Sequence, residues 1–182
     1  MDYKNVLQQI QEIQLETFCT LDRFLSEGTV LLPRHRRGLY WLWSRLDYDL
    51  LSLARDNHKS EVPIIKLIAQ RSKLSYISTV EHNGFKIIYN GIGGYKSNPP
   101  AFGLRERILQ ELNCMDHRTG TLNILKRFDN QEDWAISFFD FDDNNNKAIF
   151  GFLYEEDAYS KYASDIEKLW RLEFGHPILC RN

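Results

Sequence analysis

The sequence predicts an α+β fold in which a small central antiparallel sheet is flanked by helices. Segments with apolar residues at helical spacing stand at both ends of the chain. In the middle, residues 74–80 and 85–89 are rich in strand-forming side chains and flank the turn residues His82-Asn83-Gly84, which is the pattern of a β-hairpin. The order helix, strand, helices, hairpin, helix, strands, helix is typical of α+β domains rather than of βαβ repeats.

The first half of the chain is predicted to be mainly helical. Residues 3–26 carry apolar side chains near helical spacing and end at Gly28, so they form an N-terminal helical arm over residues 1–32. A strand is predicted over residues 39–43. Two helices follow, over residues 45–55 and from 60 to about 71, with Pro63 in the first turn of the second. Together they form a helical insertion over about 45–73.

The second half is predicted to complete the sheet. A loop rich in glycine and proline covers residues 91–103, and a helix covers residues 104–113. Strands are predicted over residues 121–128, 134–141 and 148–153, with a turn at residues 142–146 before the last one. The final helix covers residues 158–174 and ends at Gly175 and Pro177.

Length and composition favour one domain with a single core. The chain has 182 residues, and 43% of them are hydrophobic. No apolar run is long enough to cross a membrane, so no membrane partner is expected. Cys19, Cys114 and Cys180 are odd in number and far apart, which is typical neither of a disulfide framework nor of a zinc site. A reducing, cytoplasmic location is expected.

The net charge of −2 is distributed unevenly along the chain. Residues 33–127 carry sixteen lysines and arginines against eight aspartates and glutamates, whereas residues 128–182 carry five against twelve. A basic centre beside an acidic end suits a protein that binds phosphates with one part and a metal ion with another. Ordinary variation of surface charge is the alternative explanation.

Two short motifs and a basic helix carry a family resemblance. Gly38-Leu39-Tyr40 lies on one predicted strand, and Tyr89-Asn90-Gly91 ends another. Arg107 follows on the next helix, within the run Arg107-Ile108-Leu109-Gln110. With a later helix that carries Glu167, this order resembles the GIY-YIG nuclease superfamily over residues 38–182, most closely a compact type II restriction endonuclease.

The resemblance implies a role for each of these side chains. Tyr40, Tyr89, Arg107 and Glu167 would be catalytic, with Lys96 as an assisting cation, and Glu167 would hold Mg²⁺, for which Mn²⁺ can substitute. A tyrosine base would need nearby cations to lower its pKa from about 10, or it would have to act in concert with a metal-bound water. Glu111 stands where many members have a histidine. Glu173 is an alternative metal ligand, Asn182 matches a family asparagine, and Glu167 could instead pair with Arg171 at i,i+4.

The first active-site tyrosine has two candidates. Tyr40 has the better motif, but it lies 49 positions before Tyr89, so an insertion is required. Tyr76 would fall opposite Tyr89 across the hairpin if His82-Asn83 formed a two-residue turn. Tyr40 is favoured because Tyr76 lacks the preceding glycine motif.

The resemblance implies double-stranded DNA as the partner and a site-specific endonuclease as the activity. Backbone contacts are expected from a basic group of side chains: Arg34, Arg36, Arg37, Lys96 and Arg105. A palindromic target would imply a homodimer or paired action at two sites. Two alternatives stay open: a catalytically inactive module that binds nucleic acid or a protein partner on the same fold, and an unrelated protein that binds metal at Asp140, Asp142 and Asp143.

Overall fold

A computed structural model describes residues 3–55, 61–94, 102–114, 120–147, 149 and 158–181 of the chain. Its helices are α1 (Tyr3–Glu16), α2 (Leu21–Leu31), α3 (Tyr48–Leu51), α4 (Ile64–Arg71), α5 (Leu104–Leu112), α6 (Ile124–Arg127), α7 (Asn144–Lys147) and α8 (Ala158–Phe174). Its strands are β1 (Cys19–Thr20), β2 (Gly38–Ser44), β3 (Glu81–His82), β4 (Phe85–Gly93) and β5 (Trp134–Asp140).

The strands form one antiparallel sheet in the order β1-β5-β2-β4-β3. The long strands β2, β4 and β5 occupy the centre, and the two-residue strands β1 and β3 lie at the edges. Helices pack on both faces, which confirms the predicted α+β class. Among the helices described, none has the length and apolar character needed to cross a bilayer.

Each face of the sheet has its own hydrophobic core, because side chains alternate along a strand. Tyr40 and Leu42 point to one face, where they pack with α5 and α2; we call it the tyrosine face. Trp41 and Trp43 point to the other, where α1 and α8 cover them; we call it the tryptophan face. Trp41 meets Trp170 of α8 edge to face, with ring centroids 5.4 Å apart. Helix α5 and helix α8 thus lie on opposite sides of β4.

Several predicted elements are wrong in detail. The predicted helix over residues 3–26 is interrupted, because Cys19 and Thr20 leave it to pair with β5. The predicted helix over 45–55 is reduced to the single turn α3, and the second helix of the insertion begins at Ile64. The predicted strand over 121–128 contains the short helix α6, preceded by Asn123 with a left-handed φ of 52°. The predicted strand over 148–153 lies almost wholly outside the described residues.

The hairpin turn lies within the predicted His82-Asn83-Gly84, but it is not the His82-Asn83 turn that would place Tyr76 opposite Tyr89. Asn83 and Gly84 have φ values of 51° and 78°, and they join Glu81 and His82 to Phe85 and Lys86. Such a pair of positive φ angles is typical of a two-residue hairpin turn with Asn-Gly. The predicted strand over 74–80 does not form, because the backbone of this segment bonds instead to the chain beyond α8, with Ser78 donating to the His176 carbonyl at 3.0 Å.

Candidate active site

Three glycines of β2 and β4 let other parts of the chain approach the sheet closely. A Cβ at Gly91 would lie 2.4 Å from the Tyr40 hydroxyl oxygen, because the ring of Tyr40 lies over Gly91. A Cβ at Gly93 would lie 2.6 Å from Cα of Leu104, and one at Gly38 would lie 2.4 Å from the Leu104 side chain. The glycines of both motifs therefore make room for a tyrosine and for the start of α5.

A β-bulge in β4 determines the face on which Tyr89 lies. Trp43 pairs with Ile87 and Leu42 pairs with Tyr89, so one residue of β4 has no partner on β2. Strict alternation would place Tyr89 on the tryptophan face beside Ile87. The extra residue turns Tyr89 to the tyrosine face instead, where its ring centroid lies 6.2 Å from that of Tyr40.

Helix α5 places a cation and a carboxylate against the two tyrosines. Arg107 and Glu111 are one helical turn apart, and the Arg107 guanidinium lies 2.7 Å from Glu111 Oε1. The Tyr40 hydroxyl donates to the same oxygen at 3.0 Å, and the backbone N–H of Leu122 donates to Oε2 at 2.8 Å. Tyr89 also hydrogen-bonds Arg107 and Glu111. Glu111 is fully buried, whereas the Arg107 side chain remains 23% exposed.

Burial dominates the electrostatics of this cluster. Burial is the largest cause that raises the pKa of Tyr40 and of Tyr89 well above the usual value, and the charge of Glu111 raises both further. The charge of Arg107 lowers the pKa of each tyrosine, but by less than burial and Glu111 together raise it. Burial also raises the pKa of Glu111, against Arg107 and the Leu122 N–H. Both hydroxyls are therefore neutral at physiological pH, and the charge of Arg107 does not bring their pKa below the usual value.

Glu167 lies on α8 and reaches the same region from the other side of β4. Its Oε1 accepts from Arg171 at 2.8 Å, which is the i,i+4 pair that the sequence allows. Arg171 also donates to Oδ1 of Asn90 at 2.8 Å, and Asn90 directly follows Tyr89. Burial raises the pKa of Glu167, and the charge of Glu167 in turn raises the pKa of Tyr89. Glu167 thus lies across β4 from the tyrosine cluster, near enough for its charge to act on Tyr89, and its direct partner is the cation Arg171.

The chain end beyond α8 covers the open edge of β4 at this point. The N–H of Leu179 donates to the Ile88 carbonyl at 2.9 Å, and the N–H of Asn90 approaches Cys180 Sγ at 3.3 Å. Burial raises the pKa of the Cys180 thiol to about 12, so the thiol stays protonated. Neither Asn90 nor Arg171 was predicted as a site residue. The only signal in the sequence is that Asn90 lies within the second motif.

The rival tyrosine lies elsewhere. Tyr76 is 55% exposed and stands in the wall of a cavity of about 790 Å³ between α8 and residues 75–80. Its ring meets His176 edge to face, with centroids 6.1 Å apart. Since its segment is not a strand of the hairpin, Tyr76 does not face Tyr89. Arg171 lines this cavity as well, so the cavity adjoins the Glu167 side of the site.

Most of the predicted DNA-contacting arginines are engaged within the chain. Arg105 is only 6% exposed, so in this arrangement it is poorly placed for the predicted contact with phosphate. Arg36 lies 3.6 Å from a carboxylate oxygen of Asp140, and Arg37 binds Asp142 through its side chain and its backbone N–H. Arg34 is exposed, 3.7 Å from a glutamate of α5. Lys96 and Asn182 lie outside the described residues.

The acidic group at Asp140, Asp142 and Asp143 is accounted for by local structure. Asp142 binds Arg37, while Asp143 accepts from the N–H of Asn145 at 2.8 Å at the start of α7. Over the described parts of the chain, no group of three or more histidines, cysteines, aspartates or glutamates is arranged to hold a metal ion. The turn predicted over residues 142–146 overlaps with helix α7, which begins at Asn144.

Comparisons of the chain with family models, with curated proteins and with solved structures give no match.

Proposed function

We propose that the chain is a metal-dependent endonuclease that hydrolyses phosphodiester bonds of double-stranded DNA, of the site-specific restriction type. One observation carries the proposal: Tyr40, Tyr89 and Arg107 meet on one face of the sheet, and the charge of Glu167 on α8 acts on Tyr89 from across β4. These residues come from four separate elements of the chain. Two glycine-containing motifs and a bulge are needed to bring them together, which is more than a hydrophobic core requires.

Arg107 is suited to bind the scissile phosphate. Its guanidinium is planar and always charged, so it can donate two parallel hydrogen bonds to phosphate oxygens. It is partly exposed, and the surrounding Tyr40, Glu111 and Tyr89 raise its pKa even though burial acts against the charge. A cation fixed in this way stabilises the negative charge that develops on the phosphate oxygens during hydrolysis.

The tyrosines are suited to orient the attacking water. Both hydroxyls are neutral donors and acceptors on the same face, beside the cation that would bind the phosphate. A water that donates to one of them is held in a fixed direction relative to the phosphorus atom.

The carboxylate of Glu167 fits a magnesium site with one protein ligand. Mg²⁺ keeps several waters and commonly takes one or two carboxylates plus substrate phosphate oxygens. When bound, it would supply a Lewis acid that neutralises phosphate charge. Arg171 already neutralises Glu167 at 2.8 Å, so metal binding has to compete with this ion pair. We therefore expect weak metal binding without DNA and tighter binding once phosphate oxygens are present.

The test is digestion of mixed double-stranded DNA by the purified protein with Mg²⁺ or with EDTA. Glu167→Gln is compared with Glu173→Gln, which changes an exposed carboxylate on the same helix. Discrete bands that require Mg²⁺ and Glu167 support the proposal, and their ends give the target sequence. A Mg²⁺-dependent smear that requires Glu167 supports a nuclease without site specificity.

Two results contradict the proposal. Absence of cutting by the wild-type protein favours a binding module that lacks catalysis. Cutting that persists in Glu167→Gln shows that the metal ligand is misassigned. Arg107→Lys adds an independent check, because it keeps the charge and loses the planar fork, and we expect a decrease in rate of about 100-fold.

A further inference from the structure

Glu111 is a buried carboxylate to which the proposed function assigns no catalytic role. It lies on α5, one helical turn after Arg107, and none of its surface is exposed. A carboxylate in such a place costs free energy unless it is paired. Here Arg107, the Tyr40 hydroxyl and the Leu122 N–H all bind it, so its two oxygens are held in one orientation.

The orientation of the Tyr40 hydroxyl has a chemical consequence. Because its hydrogen points to Glu111 Oε1 at 3.0 Å, its lone pairs face away from Glu111. Tyr40 is fully buried, so a water that donates a hydrogen bond to it while it donates to Glu111 has to enter past the partly exposed Arg107. A neutral tyrosine with a raised pKa is a poor base by itself, but it can pass on a proton if a stronger acceptor stands behind it.

We propose that Glu111 is the terminal proton acceptor of the reaction. Glu111 acts on the water only through Tyr40, so Glu111 is a positioning residue. This inference rests on the proposed nuclease function. The water oxygen forms a bond to phosphorus as its proton moves to Tyr40 Oη, and the hydroxyl proton of Tyr40 moves to Glu111 Oε1. The bond from phosphorus to the 3′ oxygen breaks, and that oxygen keeps the electron pair and takes a proton from solvent water. Glu111 later returns its proton to solvent through Tyr40.

The shared arginine couples this proton transfer to phosphate binding. In the resting arrangement, Glu111 offsets the charge of Arg107 across 2.7 Å. When Glu111 becomes neutral, the positive charge of Arg107 is no longer offset within the protein. This happens as negative charge develops on the phosphate oxygens, so Arg107 stabilises the transition state more than the ground state.

The charged and titratable groups around Glu111 predict a pH dependence. Tyr40 faces it from β2, Tyr89 from β4 and Arg107 from its own helix, while Cys180 acts on it from the chain end. Burial raises the pKa of Glu111 in spite of Arg107. Glu111 must be ionised to accept a proton, so the cleavage rate should rise with pH through this raised pKa and then level off.

The experiment compares wild type, Glu111→Gln and Glu106→Gln in Mg²⁺-dependent cleavage between about pH 4 and pH 9, a range that includes the usual glutamate pKa of about 4.3 and extends well above it. Glu106 is a matched control, because it is a glutamate of the same helix that pairs with Arg34 and Arg105 rather than with the tyrosines. In Glu111→Gln we expect a rate about 100-fold lower at the plateau and loss of the low-pH rise. Glu106→Gln should keep the wild-type profile. Thermal unfolding of each variant shows whether it is folded.

A second measurement does not depend on cleavage. Tyrosine ionisation is followed by ultraviolet absorbance, and the contribution of Tyr40 is isolated by subtracting Tyr40→Phe. Because the charge of Glu111 raises the pKa of Tyr40, the Glu111→Gln variant should ionise Tyr40 at lower pH. The proton relay proposed here runs from the water through Tyr40 to Glu111. An unchanged Tyr40 titration would contradict the contact between Tyr40 and Glu111 on which this relay depends.

The outcomes separate the two proposals. If the wild-type protein cuts DNA and a folded Glu111→Gln variant keeps both the rate and the low-pH rise, the relay is wrong and the nuclease proposal stands. If Glu111→Gln is slower but keeps the low-pH rise, Glu111 only supports the structure, and the relay is again wrong. If the wild-type protein does not cut, the nuclease function is wrong and the relay falls with it.

Discussion

Replacing Gly91 by alanine should disrupt the tyrosine cluster through steric contact alone. The added Cβ would lie 2.4 Å from the Tyr40 hydroxyl oxygen and 2.6 Å from Cζ, whereas ordinary contacts begin at 3.4 Å. The ring must therefore move by about 1 Å, which costs about 1–3 kcal/mol as overpacking. A shift of this size also weakens the hydrogen bond to Glu111, which costs about 1–3 kcal/mol more. Together we expect a loss of about 2–6 kcal/mol in the free energy of unfolding.

The assay is denaturation in urea, followed by the fluorescence of the buried tryptophans. Gly28→Ala is the matched control, because the new Cβ would meet only the Phe24 ring at 3.8 Å inside α2. Alanine is the better helix former, so this control should gain about 0.5–1 kcal/mol. Gly84→Ala tests backbone strain separately, since φ is +78° and nothing lies within 4 Å of the new Cβ.

The refuting result is a Gly91→Ala protein with the stability of wild type. It would mean that Tyr40 does not lie over Gly91, and the geometry of the candidate site would be wrong. A double mutant sharpens the test, because Tyr40→Ala removes the ring that the new methyl group meets. The cost of Gly91→Ala should then be at least about 1 kcal/mol smaller in the Tyr40→Ala background than in wild type.

Three further predictions follow from buried groups and from the choice of tyrosine. Arg127→Met should cost about 3–5 kcal/mol in urea denaturation, because it leaves Glu61 and the Val62 carbonyl oxygen buried without their cation; a loss below about 1 kcal/mol would contradict this. Burial raises the pKa of Asp140 from 3.8 to about 6, so this group's contribution to stability is lost as pH rises from about 4 to 6. Asp140→Asn should therefore gain stability relative to wild type over that range, and a constant difference between the two proteins would contradict the shift. Tyr40→Phe should lower the rate of Mg²⁺-dependent cleavage about 100-fold while Tyr76→Phe leaves it unchanged; equal rates in the two variants would count against Tyr40.

The sequence predicted the fold class because helix and strand patterns depend on local periodicity. The strands β2, β4 and β5 and the helices α5 and α8 were all recognised from apolar spacing, glycines and turn residues. Predictions from local patterns were wrong where contacts with distant segments determined the secondary structure. Cys19 and Thr20 follow a helical pattern but pair with β5. The hairpin turn fell at Asn83-Gly84 because both residues tolerate positive φ.

For the candidate site, too, one part could be predicted from the sequence and the other part was decided by the tertiary structure. The motifs around Tyr40 and Tyr89, together with Arg107 and Glu167, could be selected from residue types and their order. Whether they meet could not be read from the chain. Alternation along β4 places Tyr89 on the wrong face, and only the bulge, which depends on pairing with β2, turns it towards Tyr40.

Side-chain partners were also decided by the tertiary structure. Arg105 and Arg107 are alike in sequence, but the rotation of α5 buries the first and leaves the second partly exposed beside the tyrosines. Glu111 and Asn90 gained their partners from segments distant in the sequence, Tyr40 and Arg171. The sequence by itself determined which residues could carry the chemistry, because residue type fixes charge and hydrogen-bonding capacity. Packing decided which of them share a site, because burial and distance depend on how the elements are assembled.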